Sequence, residues 1–119
     1  MNYLLLVAHG SRVASSNEEI RQLTNKLAQC DHGFDEVGCA FLELDTPSIP
    51  DGIRAAIAKG AKKVVVLPYF LAAGKHVKRD IPNAIKEVQI ESPNIKITQS
   101  NYIGAHPNMA QWLANMIKY

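Results

Sequence analysis

Val64-Val65-Val66-Leu67-Pro68-Tyr69-Phe70-Leu71 is an apolar run that no charged residue interrupts. Its first part, Lys63 to Pro68, reads as a strand without the apolar–polar alternation of a half-exposed one. A strand of this kind suits the centre of a parallel sheet covered on both faces. Leu4-Leu5-Leu6-Val7-Ala8 has the same character and predicts a strand over roughly Tyr3–Ala8. Glu36–Phe41 and Ile95–Gln99 supply two more. Between and after these runs, apolar residues return at helical spacing. The sets are Ile20, Leu23 and Leu27; Ile49, Ile53 and Ile57; Ile81, Ile85 and Val88; and, after Pro107, Met109, Leu113 and Met116 as the inner face of a last helix. Local punctuation fits. Ser16 with Glu19 three residues on has the form of a capping box. Thr46-Pro47 suits a helix start, a third helix is expected to begin near Asp80 to Pro82, and Gly60 suits a helix stop.

Four β–α units in this order predict an α/β fold: a single four-stranded parallel sheet with helices on both faces, forming one domain over residues 1–119. The length agrees, since domains commonly hold ~100–150 residues. A formal net charge of +2 gives no reason to expect non-specific nucleic-acid binding. No run of ~18 apolar residues predicts a membrane span. The chain passes from Met1 directly into strand-like sequence with no basic leader, so a cytoplasmic protein is expected. Cys30 and Cys39 lack C-x-x-C spacing and are expected to be reduced, buried thiols.

The topology carries a functional consequence. In a parallel α/β sheet every loop that follows a strand lies on one edge, the edge where such proteins bind and react. Those loops hold His9, Glu43, His76 and His106. His32 lies between a helix and a strand, on the opposite edge. A single strand-end histidine is most simply a helix cap or a partner for a loop carbonyl, and His106 before Pro107 fits that account. His9 and His76 on one rim favour ligation or proton transfer instead, because neutral imidazole is both a metal ligand and a base near pH 7. Glu43 is either a surface carboxylate or a third group facing the cleft. Tyr69, Phe70 and Leu71 are either core or a flat apolar wall where strand becomes loop. Lys75, Lys78 and Arg79 are either a solvated helix start or attraction for an anion. Histidine phosphatases carry Arg-His-Gly after their first strand; here Ala8 replaces the arginine, which weakens a hydrolase reading built on His9. The chain contains neither G-x-G-x-x-G nor a Walker loop, so no nucleotide cofactor is expected.

The matching segments are Val7-Ala8-His9-Gly10-Ser11-Arg12, Ala40-Phe41-Leu42-Glu43-Leu44-Asp45-Thr46-Pro47-Ser48-Ile49, Val64 to Leu71 with Gly74-Lys75-His76-Val77 and Asp80-Ile81-Pro82, and Gly104-Ala105-His106-Pro107. In these the chain resembles the short form of the class II tetrapyrrole chelatases, the CbiX-type sirohydrochlorin chelatases, over essentially its whole length. The resemblance implies a flavodoxin-like chelatase half-domain that pairs as a homodimer with its cleft between subunits. It implies insertion of a divalent metal (cobalt, nickel or ferrous iron) into sirohydrochlorin, with the ion as substrate and no permanently bound cofactor. On this reading His9 and His76 are metal ligands and proton acceptors, and Glu43 serves metal approach or proton relay. Tyr69, Phe70 and Leu71 lie against the macrocycle. The amides of Gly10 and Ser11, with Arg12, Arg54, Lys75 and Lys78, are candidate donors to its carboxylates. A non-enzymatic carrier of a tetrapyrrole or metal is the alternative.

Overall fold

A computed structural model describes residues 1–118. The strands are β1 (Asn2–Ala8), β2 (Glu36–Phe41), β3 (Lys63–Pro68) and β4 (Lys96–Gln99). They form one sheet in the order β2-β1-β3-β4, and all three pairings are parallel. The two most apolar runs therefore lie at the centre, as their lack of alternation requires. The helices are α1 (Ala14–Ala28), α2 (Ile49–Ala58), α3 (Ile81–Glu91) and α4 (Met109–Met116). A π-helical turn, His76–Asp80, runs into α3, and a 3₁₀ turn, Ile103–Ala105, precedes α4. Among the described residues no helix is long and apolar enough to cross a membrane.

The two faces of the sheet are covered unequally. Tyr3, Leu5 and Val7 of β1 and Val64 and Val66 of β3 point to the side of α2 and α3, where Ile49, Ile53, Ile81 and Val88 close the main core. Arg54 straps those two helices together, binding Asp51 within α2 and Glu87 and Glu91 on α3 at 2.7–2.9 Å. Successive strand residues face opposite sides, so Leu6 and Leu67 point to the α1 side. There Leu23 and Leu27 are only half-buried, and a groove stays open beside them.

Several local expectations are corrected. Helix α1 begins two residues before Ser16, behind Val13, and no capping box forms. Asn17 draws the preceding loop onto the helix instead, by exchanging hydrogen bonds with both the amide and the carbonyl of Ser11. Helix α2 begins after Ser48, whose hydroxyl accepts from the Asp51 amide, so the proline of its first turn is Pro50 rather than Pro47. The third helical segment opens at His76, ahead of Asp80. The thiols are free but not buried: Cys30 is exposed and Cys39 half-buried. Helix α4 has no buried residue; Leu113 and Met116, expected inside, are 57% and 83% exposed.

Candidate functional site

The rim is built from the ends of the central strands. Ala8 pairs with Phe41, and Val7 pairs with both Ala40 and Pro68, so β1, β2 and β3 finish level. Pairing continues one step past the sheet. The Leu42 amide donates to the Ala8 carbonyl at 2.8 Å and the Glu43 amide to the His9 carbonyl at 3.1 Å. This lays the Glu43 loop along the His9 loop and sets Glu43 Oε1 3.6 Å from His9 Nε2. The approach requires glycine at position 10. Its φ is +92°, and a Cβ there would run into the Glu43 carbonyl. Leu44 also has positive φ, at 67°. Asp45 secures the far side of the loop through Arg21 on α1, at 2.8 Å, and the Arg21 guanidinium lies over the Phe41 ring. The Thr46 amide and Arg21 both donate to the Asp45 carboxylate and hold its pKa below the ordinary range.

His76 reaches the same place from β3. The amides of Val77 and Lys78 both donate to the Gly74 carbonyl at 3.1 Å, which winds the chain into the π turn. Gln99 of β4 donates to the Val77 carbonyl at 3.0 Å and ties the turn to the sheet. The imidazoles of His9 and His76 then meet edge to face, with centroids 5.0 Å apart and planes at 64°.

The hydrogen bonds on the two rings are alike. His9 Nδ1 lies 2.9 Å from the Gly10 carbonyl oxygen, and His76 Nδ1 lies 2.7 Å from Asp80 Oδ2. Neither oxygen can donate, so in each ring Nδ1 carries a proton, and the neutral form of the ring has its lone pair on Nε2. The His76 hydrogen bond holds the Asp80 carboxyl below its ordinary pKa, with Arg79 adding to the effect. An imidazole whose Nδ1 proton is held by a carboxylate is oriented for metal binding through Nε2. Paired neutral imidazoles are a chemistry suited to binding a divalent ion or accepting protons. Among the described residues no cluster of three or more His, Cys, Asp or Glu encloses a metal position.

Tyr69, Phe70 and Leu71 flank the pair. Phe70 packs on the core with its ring 6.2 Å from that of His76. Tyr69 and Leu71 are exposed, and with Phe70 and Ile103 they line a solvent-open hollow of ≈ 270 Å³. Arg12, Lys75 and Lys78 are exposed on the segments that carry the histidines.

Other candidates fall away. The Ser11 amide is taken by Asn17 Oδ1 at 2.9 Å and cannot serve a ligand, although the Ser11 hydroxyl, accepting from the Val13 amide, still has its proton to donate. Arg54 is committed to three carboxylates on the α2–α3 side. His106 accepts from the Asn108 amide at 3.0 Å and stacks on Trp112, the helix-start role expected of it. His32 bonds the Ala28 carbonyl and the Phe34 amide. Two contributors escape the sequence reading. Asp80 is the partner of His76, and its signal was the i, i+4 spacing in a helical segment. Asn17, 3% exposed, was marked by lying on the same helical stripe as Ile20 and Thr24.

Fold and rim together define an open parallel α/β domain with an oriented histidine pair at its strand ends. The chain belongs to the CbiX family, whose sequence model matches residues 3–119. It is 38% identical over 91 residues to a sirohydrochlorin cobaltochelatase of Methanococcus aeolicus, covering 76% of this chain and 63% of that protein. A sirohydrochlorin cobaltochelatase of Sulfurisphaera tokodaii is 31% identical over 115 residues, which are 97% of this chain and 90% of that one. The chain spans less than two thirds of the length of the methanogen relatives, 58% and 59% in two further cases. Among solved structures, a putative cobalamin biosynthesis CbiX protein of Marinobacter aquaeolei superposes with a TM-score of 0.84 at 27% identity, over 99% of this chain and 95% of that one. The sirohydrochlorin chelatase SirB of Bacillus subtilis, in complex with cobalt, superposes with a TM-score of 0.86 at 28% identity, over 98% of this chain and 50% of that one.

Proposed function

We propose that this chain is a sirohydrochlorin chelatase, inserting a divalent metal ion into the macrocycle with His9 and His76 as the residues that handle it. The observation that carries the reading is the oriented pair: two imidazoles with centroids 5.0 Å apart, each with Nδ1 engaged, and Glu43 3.6 Å from Nε2 of His9. The names of the relatives support the substrate. Insertion exchanges two pyrrole protons for one divalent ion, so the site must release the metal and take up protons. Neutral imidazoles bind cobalt, nickel and ferrous iron and release them to ring nitrogens. The vacated Nε2 atoms and the Glu43 carboxylate are bases in reach of the departing protons. The Tyr69–Leu71 wall offers an apolar surface to the flat macrocycle, and the Gly10 amide, the Ser11 hydroxyl, Arg12, Lys75 and Lys78 offer donors to its carboxylates. The ion is substrate, and no resident cofactor enters the scheme. The reading carries with it a cytoplasmic homodimer, because a broad planar ligand needs more enclosure than one rim supplies.

The test is an anaerobic assay of metal-free sirohydrochlorin with cobalt, nickel and ferrous iron, followed by the spectral change on insertion. Multiple turnovers are expected, with cobalt the best of the three. His9→Ala and His76→Ala should each lose most of the rate while keeping the fold by circular dichroism, and His32→Ala should behave as the parent. A single equivalent of complex with no turnover would make the protein a carrier. Full turnover in both histidine variants would remove the pair from the mechanism.

A further inference from the structure

Gln99 is a polar residue at a core-facing position. Alternate strand residues share a face of the sheet, so Ile97 and Gln99 of β4 lie on the same one. Their partners across the sheet are Val64 and Val66, both buried in the main core, and Ile97 is buried with them. Gln99 takes the next place along that face, nearer the rim, and is half-buried. A side-chain amide costs free energy at such a place unless it is hydrogen-bonded. Its partner is the backbone of the π turn, where one carbonyl has no donor in the chain's own ladder.

The shortfall follows from counting donors. In α geometry the Val77 carbonyl would accept from the Ile81 amide, but that amide is given to the His76 carbonyl. In the wider π geometry it would accept from the amide of residue 82, which is proline and has no N–H. Neither register supplies a donor. Gln99 Nε2, 22 residues on in the chain, donates to this carbonyl at 3.0 Å. The turn is thereby anchored on the residue next to His76. The Val77 amide donates to the Gly74 carbonyl at 3.1 Å, its side chain is buried, and its carbonyl is held by Gln99. With that neighbour fixed at three points, the backbone that carries His76 is set. The imidazole it presents meets the ring of His9 with centroids 5.0 Å apart.

We propose that Gln99 is a positioning residue for His76. It stands in for the backbone donor that Pro82 lacks, holds the turn in its wide register, and so aims His76 at His9. The division of labour with Asp80 is clear. Asp80 fixes the rotation of the imidazole through Nδ1, and Gln99 fixes the turn from which the imidazole projects. The effect on turnover rests on the chelatase reading; the aim of His76 is measurable with no tetrapyrrole present.

Gln99→Met keeps the length of the side chain and removes its N–H groups. The Val77 carbonyl then loses its donor and the turn relaxes. Nuclear Overhauser cross-peaks between the two imidazole rings, present in the parent, should vanish. Cobalt alone should bind about 10-fold more weakly by calorimetric titration. Metal insertion should fall on the order of 100-fold in kcat, with KM for sirohydrochlorin unchanged, because the Tyr69–Leu71 wall is untouched. Gln89→Met is the control. Gln89 Nε2 donates to the Ser92 and Ile95 carbonyls at the far end of α3, so its loss removes similar bonds from the fold and should leave cross-peaks, affinity and rate as in the parent. In the parent itself the Gln99 side-chain amide should exchange slowly with solvent and give cross-peaks to Val77, a measurement that needs no variant to fold. If the parent inserted no metal while Gln99→Met still lost its ring cross-peaks, the chelatase reading would fail and the positioning role would stand. A freely exchanging Gln99 amide, ring cross-peaks retained in Gln99→Met, unchanged cobalt affinity, or the same losses in Gln89→Met would each overturn the proposal.

Discussion

Replacing Gly10 by alanine tests how the rim is assembled. Two costs follow from the structure. An L-residue in the left-handed region costs about 1–2 kcal/mol, and Gly10 has φ +92°. The new Cβ also meets the Glu43 carbonyl, so the Glu43 loop must move off and lose its amide hydrogen bond to His9, about 1 kcal/mol more. Gly60→Ala is the matched control. Gly60 has φ +106°, nothing lies within 4 Å of its added Cβ, and it sits where α2 ends, on the opposite edge of the sheet. Restriction of the unfolded chain by the added methyl is common to both and cancels. Gly60→Ala should then lose about 1–2 kcal/mol and Gly10→Ala about 2–3 kcal/mol. At roughly 4 °C per kcal/mol for a chain of this size, thermal scans should separate the two melting temperatures by about 4 °C. Function should separate them further. A displacement near 1 Å at a reacting centre costs on the order of 100-fold, so metal insertion by Gly10→Ala should fall by about that factor while Gly60→Ala keeps the parental rate. If Gly10→Ala melted with Gly60→Ala and kept most of its turnover, the close packing of the two loops would not be what positions His9 and Glu43.

The remaining expectations concern the groups behind the histidines. Asp80→Asn should fold normally but bind cobalt some 10–100-fold more weakly, the usual loss when the partner of a ligating histidine is altered; unchanged affinity by calorimetric titration would remove Asp80 from the site. Asn17→Ala should cost about 1–3 kcal/mol, because it empties a buried side-chain position and leaves the half-buried Ser11 amide and carbonyl without their partner, and its urea midpoint should fall with the slope unchanged. Asp45, Asp80 and Glu91 all have folded pKa values below their ordinary ones. Their contribution is therefore fully present above the ordinary carboxylate range, ~4, and is lost as pH falls through and below it. Urea midpoints should be level from neutral pH to about 5 and drop below ~4; a midpoint that held steady at pH 3 would contradict the ion pairs described.

The strands were legible because burial on both faces writes itself into composition. Glu36–Phe41 and Lys63–Pro68 form as expected, and β1 and β4 differ by one residue at their starts. Helix starts were less legible. Ser16 and Glu19 have the spacing of a capping box, but the loop before α1 is fixed by Asn17, a hydrogen bond that depends on tertiary position. The meeting of His9 and His76 followed from topology alone, since parallel strands bring successive loops to one edge. Arg54 could not have been excluded from sequence: its three carboxylate partners include two on α3, 33 and 37 residues away. Periodicity set Met109, Leu113 and Met116 on an inner face, yet α4 buries no residue: spacing gathers apolar residues on one side and is silent on what lies against it.

The π-helical turn at His76–Asp80 makes this half of the rim a matter of residue count. Its backbone closes between the Ile81 amide and the His76 carbonyl, one residue wider than the α-helix that follows. Removing any one residue within the turn would let α3 continue in ordinary α geometry and would rotate everything before it by about 100°. The helix would survive; the side chain beside His9 would not be the same one. Among chains of this architecture, length here is thus a stricter signature than identity. A homologue with divergent residues but the same spacing from the end of β3 to α3 can still aim an imidazole at its neighbour, whereas a near-identical one missing a single residue cannot.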